Sequence, residues 1–187
     1  MLLRRRFLGV YTAVVLLAAL SASPALAGPP LDAIHIENFG QVSDTYYRGA
    51  QPKGGDFRAL AGIGVKTIVD LAEEGDPAEG ANAKAAGMQF VRIPMTTHAV
   101  PSPQIVAQFM SLVTNPANQP VYVHCIGGRH RTGVMTAIYR MTADGWNAAR
   151  AFDEMKKFKF GATFLHPEFK AFVDTYVVPP EAVRQRQ

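Results

Sequence analysis

The stretch that most constrains the fold is 120–133, PVYVHCIGGRHRTG. A β-branched and aromatic run ends at Cys125 and passes straight into a glycine-rich basic loop. After Arg131, Val134, Ala137, Ile138 and Met141 recur at helical spacing. Strand, tight loop and helix form half of a βαβ crossover, which implies a parallel sheet covered by helices. The rest of the chain repeats the alternation. TYYRGAQP (45–52), VKTIVDL (65–71), MQFVRIP (88–94) and PVYVH (120–124) read as strands. Helices are predicted over 56–60, 77–86, onward from Ser102-Pro103, 131–144, 146–158 and 167–178, with Trp146 packed in the core. The pattern predicts an α/β fold: a three-layer domain with a mostly parallel central sheet and flanking helices. Cys125 then stands at the carboxyl edge of the sheet, where such folds place ligands.

Residues 1–27, MLLRRRFLGVYTAVVLLAALSASPALA, read as a secretory signal peptide. Three arginines precede an apolar run and an Ala25-Leu26-Ala27 cleavage site. Arg4-Arg5-Arg6-Phe7-Leu8 matches a twin-arginine export signal. Cleavage before Gly28 leaves 28–187 as a single domain, periplasmic or secreted, with no stable membrane anchor. Removing the three leader arginines from 19 basic residues leaves 16 against 15 acids, a formal +1. That balance gives no reason to expect nucleic acid as a partner. One cysteine permits no intrachain disulfide, and a lone thiol in an oxidising compartment is chemically exposed.

The loop explains a thiol at this point. Backbone amides of Ile126, Gly127, Gly128, Arg129 and His130 can form an anion nest, and the following helix adds its dipole. Arg131 offers a planar fork for two oxygens of a tetrahedral anion. Each of these features favours a thiolate at Cys125. The loop would bind an oxyanion and set a nucleophile against its centre.

Cys125, Gly128, Arg131 and Thr132 form C-x-x-G-x-x-R-T, and His124 and Gly133 flank it. With YYRGAQP, VKTIVDL and RMTADGWNAARAFDEMKKFKFG, the sequence resembles the cysteine-dependent protein tyrosine and dual-specificity phosphatases over most of residues 40–175. The resemblance implies hydrolysis of phosphotyrosine, phosphoserine or phosphothreonine through a cysteinyl-phosphate. In that scheme Cys125 attacks phosphorus, and Arg131 and the loop amides hold the equatorial oxygens. Thr132 would hydrogen-bond the sulfur, and His124 would support the thiolate from behind. No cofactor or metal is required. His35, His98, His124, His130 and His166 are scattered without metal-ligand spacing.

The family's aspartic general acid is missing from PMTTHAVPSPQ (94–104), which has no Asp or Glu. His98, 27 residues before Cys125, is the titratable residue there and could protonate a leaving oxygen. Asp76, in the acidic loop 73–76, is a second candidate. GRHRTG is similar to the basic loop of inositol-pyrophosphate and phosphoinositide members, so Arg129 could serve a small polyphosphorylated substrate instead of a phosphorylated protein. A non-catalytic phosphate-binding module and a rhodanese-like sulfurtransferase are the readings from other classes. The Arg131-Thr132 pair argues against the latter.

Overall fold

The computed structural model describes residues 30–162 and 165–184; the predicted leader lies outside them. Five strands form one sheet: β1 (Gly40–Ser43), β2 (Tyr46–Ala50), β3 (Thr67–Ala72), β4 (Gln89–Met95) and β5 (Val121–Cys125), in the order β1-β2-β5-β3-β4. β1 pairs antiparallel with β2, and every other pairing is parallel. β5 is central and wholly buried, as an apolar strand between two parallel neighbours must be.

Helices cover both faces. α1 (Asp56–Gly62) and α2 (Glu79–Ala85) pack Phe57, Leu60 and Ala83 against Ile68 and Tyr122. The opposite face receives α3 (Pro103–Val113), α4 (Arg131–Thr142), α5 (Ala148–Lys157) and α6 (Pro167–Thr175). There Val106, Phe109, Val134, Ile138, Phe152 and Phe169 close over Val69, Leu71, Val121 and Val123. A short α7 (Pro180–Arg184) follows. This is the three-layer, mostly parallel arrangement expected from the alternation of strands and helices.

Local chemistry explains the boundaries. Ser102 Oγ accepts from the Ile105 amide at 3.3 Å, with Pro103 in the first turn of α3. α5 starts at Ala148, two residues later than predicted, because the Asn147 side chain accepts from the Arg150 amide at 2.9 Å. Trp146 is therefore outside the helix and outside the core. It is half-buried, with the Arg140 and Arg150 guanidinium carbons 4.3 and 3.8 Å from its ring centroid. α4 is buried on nearly every side because it runs between the sheet and three other helices.

Candidate active site

Cys125 is the last residue of β5, and Arg131 is the first of α4. The loop between them presents its carbonyls to the scaffold. Ile126 O accepts from the Gln51 amide at 3.2 Å, Arg129 O from the Gly133 amide at 3.2 Å, and His130 O from the Val134 amide at 2.8 Å. Gly128 O accepts from Asn38 Nδ2 at 2.9 Å and Arg48 Nη2 at 2.8 Å. Asn38 Nδ2 also reaches Gly127 O at 3.5 Å. Planar trans peptides turn each N–H opposite its carbonyl, so carbonyls drawn outward turn the loop amides toward the pocket.

Gly128 is what permits this. Its φ is +64°, and a Cβ there would lie 2.3 Å from the Gly49 carbonyl carbon and oxygen. The close approach is to β2. Gly127 has ordinary space: a Cβ would meet nothing nearer than 3.5 Å.

A pocket of about 200 Å³ opens over the loop, lined by Thr97, Cys125, Ile126, Gly127, Arg129, His130 and Arg131. Cys125 is only 3% exposed but lines this pocket. Arg131 is held by Glu74: Nη1 and Nη2 each donate to a carboxylate oxygen at 2.6 Å, and Nη1 also donates to Met95 O at 3.0 Å. A guanidinium has five N–H donors, so the Nε edge is left over. Nε is buried and has no partner among the described residues. Burial works against the charge on Arg131, but hydrogen bonding to Glu74 and the electrostatic influence of the nearby Cys125 outweigh it, so its pKa is raised. Arg131 is thus a fixed, permanently charged fork with one edge open.

The remaining predicted residues lie as follows. Ile126 is exposed at the pocket rim. Arg129 pairs with Glu37 at 2.6 Å, and Lys159 Nζ lies 3.7 Å from the same carboxylate oxygen. His130 gives one wall, but its Nε2 is 2.9 Å from Phe160 O and its ring centroid 4.0 Å from that of His166. Burial, then the neighbouring His166, lowers its pKa. Thr132 is fully buried and its hydroxyl has no hydrogen-bond partner among the described residues. His98 is exposed beside the pocket-lining Thr97, with Nε2 3.5 Å from Thr97 Oγ1.

Asp76 does not reach the pocket lining. Its carboxylate accepts from the Ala78 amide at 2.8 Å, forming a local turn. Glu74, two residues earlier, is the acid of that loop that reaches the site, and the sequence reading passed over it. Arg48 and Asn38, which hold the loop from 80 and 90 residues away, were also missed. A charge inside the apolar run TYYRGA was the available signal for Arg48.

His124 projects from the face of β5 opposite Cys125, stacked on Tyr122. Its Nε2 is 2.6 Å from Glu79 Oε1, and its Nδ1 is 3.8 Å from Asp70 Oδ1. All three residues are buried. The carboxylates face different ring nitrogens, and Asp70 already accepts from Arg92 Nε and the Ala72 amide, both at 2.7 Å. That is a buried polar bridge tying β3, α2 and β5 together. It anchors the end of β5 from which Cys125 emerges.

A family model described as "DSP-PTPase phosphatase fused to NAD+ Kinase" matches residues 34–169. The chain belongs to the cysteine-dependent dual-specificity phosphatase family. The phosphatase is 31% identical over 156 residues to "Probable tyrosine-protein phosphatase DG1060" of Dictyostelium discoideum, covering 80% of this chain and 90% of that one. The crystal structure of the core catalytic domain of the PP-IP phosphatase SIW14 from Saccharomyces cerevisiae aligns with TM-score 0.67 and 28% identity, covering 80% and 91% of the two chains. The crystal structure of Pseudomonas aeruginosa TpbA aligns with TM-score 0.66 and 27% identity, covering 88% and 96%. The phosphatase matches 48% of full-length SIW14 and 56% of full-length TpbA. TpbA is named a dual specificity protein phosphatase, and SIW14 an inositol diphosphatase.

Proposed function

We propose that this chain is an exported phosphatase that hydrolyses phosphomonoesters of tyrosine, serine or threonine through a phosphocysteine at Cys125. The observation that carries the reading is the pairing of Cys125 with the open Nε edge of Arg131 in one small pocket lined by loop amides. The Cys125 thiolate attacks phosphorus, and the P–O bond to the leaving group breaks as the S–P bond forms. Arg131 and the inward amides take the negative charge spread over the equatorial oxygens. The leaving oxygen takes a proton from the 96–102 loop, where His98 is the titratable candidate. Water then attacks phosphorus, the S–P bond breaks, and inorganic phosphate and the thiolate are regenerated. Glu74 acts through Arg131: it occupies the outer edge of the guanidinium and aims the other edge at the phosphoryl group.

A second substrate reading rests on the rim. Arg129 and Lys159 share one carboxylate, Glu37, so two cations stand against one anion beside the pocket. A substrate carrying further phosphates, such as an inositol diphosphate, would exchange with Glu37 there.

The test is a hydrolysis screen of the residue 28–187 protein on phosphopeptides, inositol phosphates and inositol diphosphates, with Cys125→Ser as control. The expected result is turnover of phosphopeptides that Cys125→Ser abolishes. Turnover confined to polyphosphorylated inositols would replace the first reading with the second. His98→Ala is expected to slow alkyl phosphates by about 10²-fold and to spare aryl phosphates. Equal rates on both would remove His98 from the mechanism.

A further inference from the structure

Arg48 is the largest fully buried side chain among the described residues, and it is charged. It has no carboxylate within ion-pairing distance among them, and its Nε and Nη1 have no hydrogen-bond partner. One polar contact holds it: Nη2 donates to Gly128 O at 2.8 Å. The Phe158 ring centroid lies 4.0 Å from the guanidinium carbon, a cation–π contact that adds no negative charge. An unpaired buried cation is costly, and this one lies under the loop that would receive a phosphoryl dianion.

Its location follows from the sheet. β2 and β5 are parallel, with Arg48 opposite Val123 and Ala50 opposite Cys125. Tyr46 and Val123 belong to the same core as Cys125, and alternation along each strand puts Arg48 on that face too. Strand spacing and two residues of rise separate the Arg48 and Cys125 backbones by roughly 8 Å. Glu154 is engaged by Arg140 at 2.7 Å, and Tyr46 by Thr136 at 3.1 Å. Burial pulls the Arg48 pKa down, and the electrostatic influence of Tyr46, Glu154 and Cys125 opposes that pull.

We propose that Arg48 is a positioning residue that turns the Gly128 carbonyl out of the pocket and supplies positive potential to the anion bound there. The inference rests on the assignment of Cys125 as the nucleophile. A bound phosphoryl dianion is the counter-charge this guanidinium otherwise lacks. A carboxylate placed beside Arg48 would lower the cost of burial and cancel that potential.

The experiment compares alkylation of Cys125 by iodoacetate and by iodoacetamide. The same thiolate attacks the CH2 carbon of both reagents and displaces iodide, so their rate ratio reports local potential independently of thiolate population. Arg48→Gln keeps an amide donor for Gly128 O and removes the charge, whereas Arg48→Lys keeps the charge. The wild type is expected to favour the anionic reagent, and Arg48→Gln to lower that ratio on the order of tenfold, the scale of one charge at an effective dielectric near 20. Arg48→Lys is expected to retain it, and vanadate affinity should follow the same order. An unchanged ratio in folded Arg48→Gln, or its loss in folded Arg48→Lys, would overturn the proposal. Failure of Cys125 to alkylate in the folded wild type would instead remove the nucleophile assignment beneath it.

Discussion

Arg131 and Arg48 are the two buried arginines among the described residues, and both meet the loop 126–130, yet they are held in contrasting ways. Arg131 is gripped along its outer edge by Glu74, a carboxylate 57% exposed to solvent, and its inner edge is open. Arg48 is sealed from water, has no carboxylate partner among the described residues and touches the loop through one carbonyl. An arginine that must engage a ligand needs its direction fixed without losing all its donors, so a bidentate acid on the far edge suits it. An arginine that acts through its field needs the reverse: low dielectric and no anion to cancel it. The two edges of the site thus separate recognition from potential.

The largest expected effect strikes the first arm of that comparison. Arg131→Lys provides a point charge that cannot hold Glu74 at two atoms, bond Met95 O and still present a flat edge. We expect kcat/KM to fall about 10²–10³-fold while the fold is retained. A loss under tenfold would mean that charge alone, not fork geometry, is what Arg131 contributes.

Glu74→Gln should have a smaller effect, about threefold to tenfold in kcat/KM, in keeping with the modest worth of a half-exposed ion pair. Its pH dependence sharpens the point. Hydrogen bonding from Arg131 holds the Glu74 carboxyl below its ordinary range, against a weaker opposing pull from burial. The brace is complete above that range and is lost as pH falls through the lowered value, where wild-type Glu74 also becomes neutral. The activity gap between wild type and Glu74→Gln should therefore close only as pH falls below the ordinary carboxylate range. A gap that persists at pH values where the folded wild type has protonated Glu74 would show that Glu74 acts by shape and not by charge.

How much of this was legible depended on the range of the interactions. β3, β4 and β5 announce themselves as β-branched runs, and α3 by Ser102-Pro103, because propensity and capping are local. The loop was readable because Cys125, Gly128 and Arg131 lie within one turn of chain. β1 was missed: GQVS is too short and mixed to signal a strand, and only pairing with β2 makes it one. Asn38, Arg48 and Glu74 were missed for the same physical reason. Each reaches the loop or Arg131 across 57 to 90 residues, and no spacing rule encodes such a contact. The acidic loop 73–76 drew attention, but without the fold nothing distinguished Glu74 from Asp76. Trp146 looked like core because it is large and apolar; two arginines supply its packing instead.

The central claim is that Cys125 carries the phosphoryl group during turnover, and trapping that species tests it most directly. Acid quench within milliseconds of mixing with a ³²P-labelled phosphopeptide, followed by peptide mapping, should place label on the peptide containing Cys125. Cys125→Ser should show no label at position 125. Steady hydrolysis by the wild type with no labelled cysteine at any quench time, or label on another residue, would contradict the account.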